Sequence, residues 1–525
     1  MALRPGVKAA LSVGSLLIAA AALHAVSPTT PDPDAYYHVR HAWVYRTMGL
    51  LHSPFPWAAF SAIRDQASDL WYGFHVLLVP FSLPASLLQG LHAAGMAVTA
   101  ASLILVWLAF VVLRVPWPLA WVAVFAATGE VLFRLAMLRP HPLSLALAVL
   151  AFAVLASPGL RRRGAVLFGL ALLAAWIHLA LAWLLPFVAA VFAVIGMAHR
   201  LRPDWRSAAA IGLGTLAGFA LRPQPVGALR LAWIQLGLFL EVKARGLALP
   251  FGQELQPLSL ALEGPRLLLP ALGVLAALLV FARLLRRQHA VDLPARVAAW
   301  TSLTLALFFA LLSVRVASRS IELAAVFAAG FAGLVAREHG RAATAGGRAR
   351  AIAWLAAFLA VLVPMAALRY RVRVEHARPL LAYRGVSAWL AANSAPGELV
   401  LHAWWDQFPH LFFWNPRNRY LGGMDPLFQF AHDEPLFWKA YWLSTDAFPQ
   451  ATCGRPSCEA ADLEATSLVL RRDFGAAYVL AHRSLNPRLD AYLAGEPAFR
   501  RVFDDGTDVL YRVQYDAPPP PGGAP

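Results

Sequence analysis

The sequence predicts a polytopic α-helical membrane protein with about 11 transmembrane helices, followed by a C-terminal mixed α/β extracytoplasmic domain. Two observations carry this prediction. Of the 525 residues, 59% are hydrophobic and 14% are charged, whereas about a quarter of an ordinary soluble domain is charged. Apolar runs near the roughly 20 residues that cross a bilayer also recur along the first 374 residues. Soluble globular, disordered, fibrous and disulfide-scaffold proteins are therefore excluded.

Charge divides the chain at the same point. Residues 375–525 carry 13 Lys or Arg against 17 Asp or Glu, whereas residues 1–374 carry 32 against 12. The basic character therefore belongs to the membrane part, where it indicates orientation and contact with anionic membrane lipids, and we expect no nucleic acid partner. The predicted units are a transmembrane domain over 1–374, an outer α/β domain over 375–515 and a disordered Pro/Gly tail over 516–525.

The predicted spans are apolar segments separated by loops of alternating charge. Basic clusters fall in every second loop, and the positive-inside rule places those loops in the cytoplasm. An odd number of spans then puts the C-terminal domain outside, on what we expect to be a bacterial inner (plasma) membrane. The segments are 9–26, 95–113, 117–135, 143–157, 164–180, 183–198, 207–221, 267–285, 295–313, 320–336 and 351–368, and the clusters include Arg4, Arg114, Arg161–Arg163, Arg200, Arg287 and Arg348.

Two segments have a second interpretation. Residues 71–91 are apolar, but Pro80 and Pro84 interrupt them, and counting them as a span breaks the alternation of charge. We therefore expect a helical hairpin or re-entrant piece at the outer face. The first segment resembles a cleaved signal peptide, since Leu23-His24-Ala25 precedes a site of small residues. Losing it would leave an even number of spans, which favours a membrane helix.

The C-terminal domain shows a mixed pattern. Short apolar runs such as Glu398–His402 and Ala476–Leu480 predict strands, and Leu380–Ala392 predicts a helix. Both cysteines of the chain, Cys453 and Cys458, lie here. Outside the membrane they can form a local disulfide, and two free thiols are the alternative. A zinc site needs more ligands than this pair provides.

Polar residues concentrate just after the first span, in Pro31-Asp-Pro-Asp-Ala-Tyr-Tyr-His-Val-Arg40. Acidic side chains this close to a bilayer are costly unless they are hydrated, paired or bound to metal, so Asp32 and Asp34 are candidate catalytic residues together with His38. Arg40 is a candidate to bind the donor phosphate, as are Arg139 and Arg319 further along the chain. Carboxylate oxygens suit a hard divalent cation that bridges to phosphate. The alternative is that the aspartates cap a helix that runs from residue 35 to 48.

The outer loops also keep arginines that the positive-inside rule would deplete. Arg139 and His141 follow the third span, Glu254 lies in the long loop 222–266, and Arg319 begins the tenth span. Each alone is explained by snorkelling or helix capping. Together they predict a cavity for an anionic substrate that carries phosphate.

An aromatic motif lies in the outer domain at Trp404-Trp405-Asp406. Two adjacent tryptophans and one acceptor suit a small hydroxyl-bearing group or a sugar, and core packing is the alternative. Tyr420-Leu-Gly-Gly-Met-Asp-Pro426 is typical of a turn, and we assign it no chemistry.

These motifs resemble a known family. Asp34-Ala-Tyr-Tyr-His-Val-Arg40 is similar to the first acidic motif of oligosaccharyltransferase catalytic subunits, which are GT-C class glycosyltransferases, and Trp404-Trp405-Asp406 stands where their WWD motif begins. The resemblance implies transfer of a glycan from a polyprenyl-phosphate or -diphosphate carrier, with a divalent cation such as Mg²⁺ or Mn²⁺. It implies that Asp34 is a catalytic carboxylate and metal ligand, that Glu254 is a further ligand, that Arg319 contacts the carrier phosphate, and that Trp404, Trp405 and Asp406 face the acceptor.

The sequence departs from this family at two motifs. Leu138-Arg-Pro-His-Pro-Leu143 has no carboxylate where the second acidic motif is expected, so His141 would replace it as a ligand beside Arg139. Gln407-Phe408 follows the tryptophan motif in place of Tyr-Gly. We therefore expect a divergent glycosyltransferase with either a metal-dependent or an arginine-assisted mechanism. We expect the acceptor to be a protein or a glycolipid. The second enzyme hypothesis is a single-sugar transferase that acts on envelope lipid or polysaccharide. The hypothesis from another class is a transporter or flippase of lipid-linked saccharide.

Overall fold

The computed structural model describes residues 5–25, 29–286 and 291–515. The predicted tail 516–525 and two of the basic residues, Arg4 and Arg287, lie outside this range. Long apolar helices form the first part of the chain, and a mixed α/β domain follows the helix that ends at Glu375.

The helical part is built from long helices joined by short ones. Proline begins several of them, because its fixed φ suits the first helical turn. The helices are α1 Pro5–Ala25, α2 Asp34–Met48, α3 Ala62–Gln66, α4 Tyr72–Leu78, α5 Leu87–Val112, α6 Pro118–Ala127, α7 Val131–Leu135, α8 Pro140–Leu155, α9 Arg163–Ile177, α10 Leu184–Ala198, α11 Trp205–Ala220, α12 Pro225–Trp233, α13 Phe239–Ala244, α14 Leu260–Arg286, α15 Leu293–Arg315, α16 Ile321–Ala342 and α17 Ala345–Glu375.

Eight helical segments in the described residues are long and apolar enough to cross a membrane, which makes the chain an integral membrane protein. Shorter apolar helices lie at three more of the predicted spans, and α11, with 16 residues, lies at a fourth. Every predicted span thus coincides with helix, while the number that cross the bilayer stays a prediction. The eight segments are Gly6–Ala25, Leu87–Val112, Leu179–Ala198, Pro225–Ala244, Leu260–Arg286, Leu293–Arg315, Ser318–Ala342 and Ala345–Glu375.

The second span begins earlier than predicted, and the long outer loop contains helix where the sequence predicted a loop. Residues 71–91 form α4, a 3₁₀ turn over Val79–Ser82 and, after a break, the start of α5 at Leu87. The loop 222–266 contains a helical segment, in which the π-helical stretch Ile234–Leu238 joins α12 to α13. Charged residues lower the hydropathy of that segment, and for this reason the sequence pattern indicates a loop there.

The C-terminal domain has a five-stranded sheet in the order β2-β1-β5-β7-β6. Strand β1 pairs in parallel with both β2 and β5, and β7 pairs in antiparallel with both β5 and β6. Strands β3 and β4 form a separate antiparallel pair. Cys453 and Cys458 are joined by a disulfide. The elements are α18 Arg384–Asn393, β1 Leu399–His402, α19 Phe408–Trp414, β2 Arg419–Tyr420, α20 Pro426–Phe430, α21 Glu434–Ser444, β3 Ala451–Thr452, β4 Glu464–Ala465, α22 Thr466–Arg472, β5 Tyr478–His482, α23 Pro487–Gly495, β6 Phe499–Asp504 and β7 Asp508–Val513.

The segment after α2 joins the two parts of the molecule. Ala58 forms a parallel bridge with Tyr420, so this segment continues the sheet beyond β2. The Tyr420 amide donates to the Trp57 carbonyl, and the Ala59 amide donates to the Tyr420 carbonyl, each over 2.8 Å. Helix α2 also packs on α19, and Phe55 in the segment after α2 contacts Phe412 of α19, with ring centroids 5.3 Å apart. Residues from both parts are therefore held in one fixed arrangement.

Candidate active site

Helix α2 presents two polar side chains to one cavity. Asp34 and His38 are four residues apart and therefore share one face of the helix. Both are buried, and both line a cavity of about 80 Å³ between the helical part and the C-terminal domain. Helix capping is a minor role of the acidic pair: Asp32 accepts a 3.2 Å hydrogen bond from the Asp34 amide, and Pro33 precedes the helix without a side-chain cap.

The guanidinium of Arg139 lies among three carboxylates. It donates to both oxygens of Asp32, over 2.5 and 2.7 Å. It lies 2.9 Å from an oxygen of Asp34 and donates to Glu254 over 2.8 Å. The planar fork of five N–H donors on arginine suits such shared recognition, which a lysine could not reproduce. We call Arg139, Asp32, Asp34 and Glu254 the carboxylate cage.

Within the carboxylate cage, the pKa values of Asp34 and Glu254 are shifted in opposite directions. Burial raises the pKa of Asp34, and the negative charges of Asp32 and Glu254 raise it further, against the opposing effect of Arg139. Burial would also raise the pKa of Glu254, but Arg139 and Arg134 overcome this and lower it to about 2. One guanidinium among three carboxyl groups thus favours a proton on Asp34 rather than on Glu254.

A second polar group lies on the same cavity. Glu322 has one carboxylate oxygen 3.2 Å from Nε of Arg134 and the other 3.0 Å from Nε2 of His141. Arg319 also lines the cavity, from the 3₁₀ turn Ser318–Ser320. Among the residues that the structure describes, Arg319 has no carboxylate within ion-pair distance. Its guanidinium is therefore available to an anion that enters the cavity.

The predicted divalent cation does not fit these side chains. Its three predicted ligands were Asp34, His141 and Glu254. Two of them are held by the Arg139 guanidinium, and His141 faces Glu322 instead. A positive group already occupies the place where the carboxylates converge, so a cation there would be repelled. A separate cluster of ligand-type side chains, His41, Asp69 and His75, has its donor atoms within 4.8 Å of one another.

The tryptophan motif divides between the cavity and the domain core. Trp405 lines the cavity, and its Nε1 donates to the Pro250 carbonyl over 2.9 Å. Trp404 instead packs against the core of the outer domain. Asp406 is absent from the cavity wall and accepts a 2.8 Å hydrogen bond from Arg378. Core packing therefore accounts for Trp404, while contact between Trp405 and an acceptor stays a prediction.

Arg40, predicted to bind the donor phosphate, lies elsewhere. Both its Nε and one terminal nitrogen donate to the Phe413 carbonyl, and its guanidinium lies 4.8 Å from the Trp43 ring. It does not line the cavity. Its role in this structure is to hold α2 against α19. The position of an arginine within a sequence motif does not reveal such a packing role.

Several residues in the cavity wall, among them Arg134, were missed from the sequence. Asp425 and Met424 line the cavity, although their segment indicated only a turn. Burial raises the pKa of Asp425 to about 6, against the opposing hydrogen bond from the Leu427 amide. Trp71 lies in the wall as well. A buried carboxyl group in an aqueous cavity is a functional signal, but burial is not readable from a Gly-Gly-Met-Asp-Pro turn.

The sequence matches no protein-family model and no curated protein. Solved structures do match. The oligosaccharyltransferase of Archaeoglobus fulgidus aligns with a TM-score of 0.53, 13% identity and coverage of 96% of this chain and 74% of its own, in a crystal with a tethered acceptor peptide containing the NVT sequon. The same enzyme in complex with Zn and sulfate gives a TM-score of 0.56 at 12% identity, with the same coverage of both chains.

A second solved protein matches over its whole length. ArnT from Cupriavidus metallidurans, bound to undecaprenyl phosphate, aligns with a TM-score of 0.52 and 14% identity, covering 98% of this chain and 100% of its own. Identities this low establish shared architecture rather than shared substrates. The chain therefore has the fold of the GT-C glycosyltransferases, as the resemblance in its first outer loop implied.

Proposed function

We propose that this protein is a glycosyltransferase that moves a sugar or glycan from a polyprenyl-(di)phosphate carrier to an acceptor at the outer face of the membrane. The observation that carries the proposal is Arg319, whose guanidinium lies on the same small cavity as Asp34. Glu254 and Glu322 attract this guanidinium, but no carboxylate of the described residues forms an ion pair with it. A phosphate-binding cation and a catalytic carboxylate on one cavity are what such a transfer requires. The undecaprenyl phosphate bound to ArnT supports a carrier of this class.

Each charged group has a distinct part in this reaction. As the bond between the sugar and the phosphate breaks, negative charge develops on the phosphate, and Arg319 stabilises it without reorganisation because it is already in place. Arg134, which pairs with Glu322, adds positive charge to the same wall. Glu254, whose lowered pKa keeps it charged, supplies negative charge beside the sugar, whose anomeric carbon becomes positive, and Asp34, which holds a proton, can donate it to the oxygen of the leaving phosphate. Arg139 holds Asp34 in position, and no step needs a metal ion.

The acceptor has two candidate classes. The acceptor peptide bound to the oligosaccharyltransferase supports a peptide, which would approach Trp405. Gln407-Phe408 in place of the family's Tyr-Gly favours the second candidate, a single-sugar transferase acting on envelope lipid or polysaccharide. Mass spectrometry of glycopeptides and envelope lipids from cells with and without the gene separates them. Loss of asparagine-linked glycans supports the peptide, and altered lipid or polysaccharide with an unchanged glycoproteome supports the second class.

Carrier binding tests the proposal directly. We expect the purified protein in nanodiscs to bind undecaprenyl phosphate and Arg319→Ala to bind it at least tenfold more weakly, because the phosphate loses its guanidinium. Arg315→Ala is the matched control, since Arg315 lies exposed at the end of α15, away from the cavity. Asp34→Asn should keep binding and lose roughly 10²-fold or more in turnover.

Two results would contradict the proposal. Equal binding by the wild type and Arg319→Ala would remove the phosphate site. Transport of a lipid-linked sugar across proteoliposomes, without cleavage of the sugar–phosphate bond, would show the flippase of the rival hypothesis.

A further inference from the structure

A chain of buried hydrogen bonds runs from the segment before α4 to the cavity wall. Oδ2 of Asp69 lies 2.6 Å from Nδ1 of His75, and Nε2 of His75 lies 2.7 Å from Nδ1 of His38. All three side chains are buried, with exposed fractions of 7%, 0% and 2%. His38 is the member that reaches the cavity.

This chain fixes which nitrogen of each ring carries a proton. The Asp69 carboxylate only accepts, so Nδ1 of His75 is the donor. Nε2 of a neutral His75 is then the acceptor, and Nδ1 of His38 must donate to it. The remaining nitrogen of a neutral His38, Nε2, keeps its lone pair, and it has no hydrogen-bond partner among the described residues. A base with a set tautomer therefore lies in the wall of the cavity.

Other groups hold Asp69 as the anchor of the chain. The Tyr45 hydroxyl donates to Oδ2 over 2.8 Å, and the Trp71 amide donates to Oδ1 over 2.9 Å. Burial would raise the pKa of Asp69, but His75 and His41 overcome this and lower it. Asp69 is therefore a charged carboxylate, able to orient a ring and to stabilise positive charge two rings away.

The same residues are poorly arranged to bind metal. Both ring nitrogens of His75 are engaged, one with Asp69 and the other with His38, so His75 has no lone pair free for a cation. The distance of 2.6 Å between Oδ2 of Asp69 and Nδ1 of His75 is that of a short hydrogen bond. His41 stacks on His75 with ring centroids 4.3 Å apart, which orients both rings.

We infer that Asp69 and His75 are positioning residues that hold His38 as the proton acceptor of the transfer reaction. The inference rests on the proposed function. In the step, the nucleophilic atom of the acceptor bonds to the anomeric carbon, and the bond from that carbon to the phosphate oxygen breaks with its electron pair on the polyprenyl phosphate. The acceptor's proton passes to Nε2 of His38, and Asp69, acting through His75, stabilises the cation formed.

The groups around His38 keep its ring neutral and therefore able to accept a proton. Burial lowers its pKa, His75, Arg139 and His41 lower it further, and the Asp69 carboxylate opposes them. Those four residues, Asp34 one turn away on α2 and Tyr37, whose ring centroid is 5.2 Å from that of His38, are titratable groups near the ring. His38 is thus neutral before the reaction. In the carboxylate cage, by contrast, Asp34 already holds a proton, and Asp32 and Glu254 are engaged with Arg139.

Nitrogen-15 NMR of histidine-labelled protein tests the chain without any substrate. The difference between the spectra of the wild type and His38→Gln identifies the His38 signals. We expect protonated Nδ1 and unprotonated Nε2, and we expect Asp69→Asn to change this pattern, because the amide can present N–H to His75 and reverse both tautomers. A proton on Nε2 of wild-type His38, or an unchanged pattern in Asp69→Asn, would overturn the inference.

Kinetics test the catalytic part. With undecaprenyl-phosphate-linked glucose and mannose as probes, release of undecaprenyl phosphate is measured. We expect Asp69→Asn to lower kcat by about 10²–10⁴-fold and to change KM for the donor by less than about threefold. Asp65→Asn is the matched control, since it removes the carboxylate of a second His–Asp pair, with His432 at the surface, and should keep the wild-type kcat.

The outcomes separate the inference from the proposed function. A wild-type protein that cleaves neither probe counts against the proposed donor, while the NMR pattern still decides the hydrogen-bond chain. An active wild type with an equally active Asp69→Asn overturns the inference alone. Partial recovery of His38→Ala by free imidazole, which the small vacated space can admit, supports His38 as the proton acceptor.

Discussion

At the scale of single residues, Arg139 is surrounded by carboxyl groups. A partly buried guanidinium is stable only when its donors are satisfied, and here three carboxyl groups from two separate segments satisfy them. The chain thus uses an internal cation where the resemblance to oligosaccharyltransferases implied a metal ion. The substitution of arginine for a carboxylate in Leu138-Arg-Pro-His-Pro-Leu143 is the sequence signal of this change.

Removal of Arg139 should make the carboxylate cage dependent on cations. We expect Arg139→Ala to lower the free energy of unfolding by about 3–5 kcal/mol, because it leaves buried carboxylates unpaired. We also expect Mn²⁺ to raise the Tm of this variant, since oxygen ligands freed of arginine can bind a hard cation. Thermal unfolding of both proteins with Mn²⁺ or EDTA measures this. A variant as stable as the wild type and indifferent to Mn²⁺ would contradict the cage.

At the scale of elements, the short helix α20 brings a carboxyl group to the cavity. Asp425 precedes the helix, and its side chain accepts a 3.0 Å hydrogen bond from the Leu427 amide. Such a cap fixes the side chain in one place. The same residue lines the cavity, so a local folding signal also positions a titratable group.

The raised pKa of Asp425 predicts a pH dependence of stability. Its usual value is 3.8 and its folded value is about 6. Between these values the folded chain holds a proton that the unfolded chain has lost, so the free energy of unfolding falls as pH rises through this window. We expect Asp425→Asn, which keeps the cap, to lack this fall and to exceed the wild type by about 3 kcal/mol above pH 6.

Denaturant unfolding between pH 4 and 7 checks the sign. Asp433→Asn is the control, because Asp433 caps α21 in the same way but lies outside the cavity. A difference between Asp425→Asn and the wild type that stays constant with pH would show that the folded chain holds no extra proton on Asp425.

The sequence predicted elements better than it predicted the site. The spans were predicted from long apolar runs, and each predicted span coincides with helix. Strands β1 and β5 lie where Glu398–His402 and Ala476–Leu480 predicted strands. The site is made by contacts between distant segments, which a pattern along the chain does not contain. Asp69 and His75 carry no motif, and their pairing with His38 depends on how α4 packs against α2. Arg40 lies in a motif, yet it serves packing.

At the scale of the whole molecule, orientation in the membrane follows from charge. Arg163 begins α9, and His178 at the other end of that helix lines the cavity; Arg348 follows the end of α16, and Glu322 at the start of that helix lines the cavity. From the positive-inside rule we therefore expect the cavity to lie outside the cytoplasm. Under the proposed function, this orientation decides whether the acceptors are cytoplasmic or exported.

Reporter fusions test this orientation. Fusions after Arg163 and Arg348 should report the cytoplasm, and fusions after Arg40 and within residues 375–515 should report the outside, because the basic loops resist export. Cytoplasmic and extracytoplasmic reporters, used in parallel at each site, act as mutual controls. A single reversed fusion in the middle of the series would show that one of the predicted spans does not cross the membrane.

The bridge between Ala58 and Tyr420 has a consequence for biosynthesis. The segment around Ala58 leaves the ribosome early, whereas its sheet neighbour is made only after the last membrane helix. The wall that contains Trp405, Met424 and Asp425 is therefore missing until the chain is almost complete. A nascent chain has no closed cavity. Under the proposed function, the protein acts on carrier-linked sugar only after its own synthesis is finished.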